Sequence, residues 1–100
     1  MDDWTRAAFE RLLKLAQSDT HQSRRAANFL LAWWNADSLG AFDPADLFGV
    51  DSTIAADMAT VFTWLAGQSV AVYPTEYRAQ IEKLIEEWRP DVWAKAKAAG

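Results

Sequence analysis

The sequence predicts an all-α fold, a compact orthogonal helical domain of four main helices plus one or two short ones, with residues 1–100 forming a single domain. Three observations predict it. Apolar residues recur at helical spacing through four long segments. These segments open on Asp, Ser, Thr or Pro and mostly close on Gly or Pro, the residues that start and stop helices. Only Gln68-Ser69-Val70-Ala71-Val72-Tyr73 has β character. It is short and has no partner strand, so it reads as an extended connector.

Asp2 or Asp3 suits the cap of a first helix running to about Gln17, where the carboxylate meets the helix N-terminus. Trp4, Ala8, Leu12, Leu15 and Ala16 form its apolar stripe, widened by Phe9 and Leu13. Arg6, Glu10, Lys14 and Gln17 are placed towards water, with Glu10 and Lys14 at pairing distance in sequence. Ser18-Asp19-Thr20 is a turn and a cap for the second helix, which should end near Asn35 or Ala36. That helix carries Ala26-Ala27-Asn28-Phe29-Leu30-Leu31-Ala32-Trp33-Trp34-Asn35, the most apolar and aromatic run in the chain. Its apolar residues sweep roughly 200°, about twice the arc a surface helix needs. It is therefore expected at the centre, covered on two sides.

Asp37-Ser38-Leu39-Gly40 is a break, with Gly40 suited to a left-handed helix end. Asp43-Pro44-Ala45-Asp46-Leu47-Phe48-Gly49 has Asp at the N-cap, Pro at the first helical position and Gly at the close, so one to two turns are expected. Asp51 should cap a longer helix with Ile54, Met58, Val61, Phe62 and Leu65 as its buried stripe, ended by Gly67. Pro74 or Thr75 opens the next, where Tyr77, Ile81, Leu84, Ile85 and Trp88 fall at i, i+4, i+7, i+8 and i+11. Arg89-Pro90 stops it, because the residue before proline is disfavoured in the α region. The tail from Pro90 to Gly100 can form a short helix docked by Val92, Trp93 and Ala96.

A chain of 100 residues buries roughly two-thirds of the surface its unfolded form exposes. Six Trp and five Phe enlarge that burial. The absence of cysteine excludes disulfides, thiolate zinc sites and cysteine nucleophiles. The acidic start Met1-Asp2-Asp3-Trp4 does not read as a secretory signal. No apolar run approaches the ~20 residues of a membrane span. The expectation is a cytoplasmic protein without a membrane partner. A net charge of −4 argues against direct nucleic-acid binding, which wants a basic face.

Four groups of residues are candidates for chemistry. Asp37, Asp43, Asp46, Asp51 and Asp57 can in principle hold a hard cation. Their spacing departs from the calcium-binding helix-loop-helix pattern, since counting from Asp43 puts Ala45, Leu47 and Phe48 at positions 3, 5 and 6. Capping accounts for Asp43 and Asp51, and surface charge for the others. His21 is the only histidine and has no nucleophile elbow nearby, so it reads as a solvated first-turn residue. Arg24 and Arg25, with Gln22 and Asn28, are the residue types of a recognition-helix edge. Against that, they can snorkel over the core or pair with Asp46 or Asp57. Trp33 and Trp34 point about 100° apart, so one can be core while the other lines a groove beside Asn28 and Asn35.

Two blocks carry a resemblance. Ala16-Gln17-Ser18-Asp19-Thr20 through Trp33-Trp34-Asn35-Ala36, and Phe42-Asp43 through Asp46-Leu47, Val50-Asp51 and Asp57-Met58, resemble a family of small, functionally uncharacterised proteobacterial proteins that often travel on mobile elements. The resemblance covers residues 8–66. Where such families usually have Gly after Thr20, this chain has His21. The family implies no cofactor and no catalytic residue.

The leading expectation is thus a non-catalytic macromolecular interaction protein, not an enzyme. A mobile-element accessory protein that inhibits host defence, of the anti-CRISPR type, is its specific form. The partner would be a protein, in that form a basic nucleic-acid-binding one, and a homodimer is an alternative use of the aromatic surface. The interaction residues expected are Arg24, Arg25, Asn28, Trp34, Asn35, Asp43, Asp46 and Asp57. Two other classes stand behind it: a small DNA-binding regulator using Arg24 and Arg25, and a metal-dependent enzyme using the aspartate series.

Overall fold

Each early helix starts where a side chain caps it. A computed structural model describes residues 1–100. The Asp2 carboxylate accepts from the Thr5 amide at 2.8 Å and the Thr5 hydroxyl at 3.0 Å, opening α1, Asp3–Ala16. The Thr20 hydroxyl accepts from the Ser23 amide at 3.0 Å, opening α2, His21–Leu39. Asp43 accepts from the Ala45 amide at 2.9 Å and starts a 3-10 turn, Pro44–Gly49. α3 spans Ser52–Ala66, a second 3-10 turn Thr75–Tyr77, α4 Arg78–Trp88, and α5 Pro90–Ala99 with Pro90 in its first turn. Residues 68–73 form no strand and connect α3 to the second 3-10 turn. The architecture is all-α.

α1 packs against both α2 and α3, and α2 packs against α4 on another side. One cluster of 15 buried apolar residues joins the four, with Phe9, Leu12, Leu30, Leu31, Met58, Ile81 and Leu84 fully enclosed. α5 packs mainly on α4, with Val92 reaching the core. The radius of gyration is 13.2 Å, the value of a folded unit of this length.

Three half-buried aromatic anchors fix the helices to one another. The Trp33 indole donates to the Val72 carbonyl at 2.8 Å, pinning the extended connector to α2. Its ring meets Phe9 edge-on at 5.8 Å. The Trp88 indole donates to the Ala16 carbonyl at 2.9 Å, satisfying an end-of-helix oxygen that has no partner within α1. The Tyr77 hydroxyl accepts from Arg6 at 2.8 Å and donates to Glu10 at 2.9 Å. Burial outweighs the opposing pull of Arg6 and pushes the Tyr77 phenol up from its ordinary value. Arg6 also pairs with Glu76 at 2.8 Å, so Arg6 and Glu10 are engaged with the second 3-10 turn, and the expected Glu10–Lys14 pair does not form.

Other expectations are corrected. Trp4 falls on the apolar stripe that the sequence predicts for α1 but is 75% exposed. The buried stripe begins one residue later, at Thr5, whose hydroxyl is satisfied by Asp2 and can therefore face inward. Phe62 belongs to the buried stripe that the sequence predicts for α3 but is 63% exposed. Ile54, Met58, Val61 and Leu65 occupy i, i+4, i+7 and i+11, which turns Phe62 about 100° away from the core. α2 runs past its expected end. At Asn35 the backbone leaves the helix (φ −167°, ψ 86°) and restarts for one turn, which Asn35 caps by accepting from the Ser38 amide at 3.2 Å. That turn delivers Leu39 into the core. Gly40 follows with φ 95° and ψ 152°, a positive φ but not the left-handed helical cap. Asp51 stands at the N-cap position of α3 without a side-chain cap bond; its amide donates to Gln22 of α2 at 2.7 Å instead.

Candidate functional site

The eight residues expected to interact do not form one patch, and most are occupied within the fold. The Asn28 side-chain oxygen accepts from Arg89 at 2.8 Å. Asp57 is held by Arg11 through two bonds of 2.9 Å, which raise the Arg11 guanidinium above its ordinary value. Asp46 lies 3.6 Å from Arg25 Nε, too far for a hydrogen bond, and that buried Nε has no other partner. Arg25 also lies over Gly49, where an added Cβ would displace its guanidinium. Asp43 caps that turn and Asn35 caps the last turn of α2. Arg24 is exposed beside Asp19, Thr20, His21 and Trp88, away from Arg25. Trp34 lies under the Arg78 guanidinium, 4.9 Å from its ring, in a hollow of about 290 Å³ completed by Asn35, Tyr73 and Thr75. Both indoles are half-buried, and Trp33 is the one that packs on the buried Phe9. No three of the carboxylates and His21 stand close enough together to share a metal ion.

The largest concavity lies elsewhere, between α2, the first 3-10 turn and α3. It is a groove of about 700 Å³ with an overwhelmingly apolar lining. Phe29 and Phe42 close one side, packed edge to face at 5.2 Å. Pro44 and Leu47 of the 3-10 turn form the lip, and Met58 lies at the base. Along α3, Ala55, Ala56 and Ala59 leave the floor low, and Phe62 stands exposed at the end. The Asp43 cap sets this geometry, because it fixes the turn that carries Pro44 and Leu47.

A second, more polar hollow adjoins the groove across α3. Ala59 and Thr63 line both the groove and a shallower hollow of about 400 Å³ bounded by Trp4 and Trp64. Phe48, next to Leu47, is 94% exposed. Large exposed aromatics at or beside an apolar concavity, as Phe62 and Phe48 are, mark binding surfaces. Between Arg25 and Arg78 the chain contains no Lys or Arg, while Asp37, Asp43, Asp46, Asp51, Asp57 and Glu76 all fall there. Asp46, Asp57 and Glu76 have cationic partners; Asp37, Asp43 and Asp51 have none. The groove is thus built wholly from a segment with negative charge only.

The sequence reading missed this groove because it assigned Phe62 to the core. One signal was available. α3 carries a single charged residue, Asp57, in fifteen positions, and a helix so apolar around its circumference is covered on more than one side or left with an exposed apolar face.

No helix is long and apolar enough to cross a membrane. No curated protein and no solved structure matches the chain. The model of a family of unknown function, DUF7673, matches residues 6–89, a wider span than the 8–66 expected from the resemblance. The match takes in the whole groove and leaves out Trp4 and α5. The chain therefore belongs to DUF7673, a family of unknown function.

Proposed function

We propose that this protein is a non-catalytic interaction protein that docks a protein partner on the apolar groove between α2, the first 3-10 turn and α3. The carrying observation is the groove itself: about 700 Å³, apolar, and bordered by the exposed Phe62. Concave apolar sites rimmed by aromatics supply the desolvated pockets in which interface energy concentrates. The negative charge of the surrounding segment favours a basic partner.

The more specific form of this reading is a cytoplasmic accessory protein of a proteobacterial mobile element that inhibits host defence. Its support is the net charge of −4 and the lack of cysteine. An acidic protein of this kind can mask a nucleic-acid-binding surface, as an anti-CRISPR inhibitor does. The DNA-regulator alternative has narrower support, since Arg25 is drawn towards Asp46 and Gly49 and only Arg24 stands free.

The test is affinity capture of the intact protein from its native lysate beside an Ala59→Glu variant. Ala59 is exposed on the floor of the groove, so a glutamate there blocks the site without entering the core. A partner held by the parent and lost by the variant supports the groove. A partner held equally by both moves the site elsewhere, with the Trp34–Arg78 hollow next.

A further inference from the structure

Granting that the groove is the docking site, we infer that its occupant is an amphipathic α-helix of about three turns with Lys or Arg on its outer face, presented by a protein partner. Length is the first argument. The floor follows α3 from Ser52 to Thr63, twelve residues whose eleven steps of 1.5 Å span about 17 Å. Three turns of a second helix match that length.

Backbone chemistry is the second. The groove is lined by side chains, almost all apolar, and the fold has no strand whose edge lies open to pair with a peptide. An extended peptide laid there would leave its amides and carbonyls without partners, at a cost comparable to a lost hydrogen bond for each group. A helix satisfies its own backbone and offers only side chains. The alanines at 55, 56 and 59 allow its axis to come close, while Phe42 at one side and Phe62 at the end offer rings for its apolar residues to pack against.

Charge is the third. Asp43 sits between the groove residues Phe42 and Pro44, and Asp51 adjoins the groove residue Ser52. Both are exposed and neither has a cationic partner. No lysine or arginine of the surrounding segment competes for them. A helix whose apolar stripe faces α3 and whose flanks carry Lys or Arg completes both the shape and the charge.

The experiment is a display selection of random 16-residue peptides on the intact protein, counter-selected on Ala59→Glu. Circular dichroism first checks that the variant keeps its helical content. If it does not, Phe62→Ala replaces it, because Phe62 lies outside the core. The expected peptides repeat apolar residues at i, i+3, i+4 and i+7 and are enriched in Lys and Arg between them. They gain helicity on binding, lose about tenfold in affinity to Phe62→Ala, and weaken as ionic strength rises. Groove-dependent peptides without helical spacing, or without basic enrichment, overturn this inference and leave the groove as a docking site. Peptides that bind parent and variant alike, or no enrichment at all, overturn both. A parent that sediments as a dimer and becomes a monomer in Ala59→Glu makes a second copy the occupant and overturns the inference.

Discussion

Arg89 donates from Nη2 to the side-chain oxygen of Asn28 at 2.8 Å, and from Nε to the Leu39 carbonyl at 2.8 Å. One guanidinium at the α4–α5 junction therefore holds both the middle and the end of α2. It also satisfies a carbonyl at the helix end where no intrahelical donor is available. Asn28→Ala should lower stability by about 1–2 kcal/mol, because it leaves a half-buried guanidinium nitrogen without its acceptor. Urea unfolding followed by circular dichroism checks this, with the midpoint falling and the slope unchanged. In a double-mutant cycle, adding Arg89→Ala to Asn28→Ala should cost less than Arg89→Ala alone.

Trp33 makes a comparable link to the connector. Its indole donates to Val72 at 2.8 Å while the ring packs against Phe9 and, at 6.5 Å, Trp64. Trp33→Phe keeps an aromatic ring but removes the donor and part of the volume. The expected loss is about 1–3 kcal/mol, from the unpaired carbonyl and the space left behind. Hydrogen exchange should show the loss locally as well, as faster exchange at residues 70–73 than in the core helices.

Much of the fold was legible because its causes are local. Asp2, Thr20 and Asp43 each cap the helix or turn that follows them in sequence. Tyr77, Ile81, Leu84, Ile85 and Trp88 repeat with helical period and all meet the core. The misplacements have a different origin. Trp4 and Phe62 are as apolar as their neighbours, and only the packing of α1 against α3 decides which side of each helix is covered. Asn28 looked like an interaction residue because its partner, Arg89, is 61 positions away. Asp57 looked free for the same reason, with Arg11 on another helix. The groove depends on three separate elements, so no single stretch of sequence displays it.

Acid sensitivity should trace in part to Asp2. The amide of Thr5, then its hydroxyl, hold the Asp2 carboxylate below its ordinary value of 3.8. A depressed value in the folded state adds stability above the unfolded value, and that stability disappears as pH falls through the folded value. The parent should therefore lose this contribution as pH drops below about 4. Asp2→Asn, which cannot titrate, should show a shallower loss over the same interval. Thermal unfolding between about pH 2 and pH 6 compares the two slopes; identical slopes would remove the cap as a source of acid sensitivity.

Val61 and Phe62 are adjacent in sequence and opposite in role. Val61 is fully buried, and Phe62 is 63% exposed at the end of the groove. Val61→Ala should lower stability by about 2 kcal/mol, since it opens a void in a packed core, and should leave partner binding intact at temperatures where the variant is folded. Phe62→Ala should change stability by no more than about 0.5 kcal/mol, because little of its surface leaves water on folding. The same substitution should weaken partner binding about tenfold, since an aromatic at the edge of a desolvated pocket is where interface energy concentrates. Measuring unfolding and partner capture on both variants separates the two effects. A Phe62→Ala variant that unfolds as easily as Val61→Ala would make Phe62 a structural residue, and the exposed aromatic face would lose its strongest functional argument.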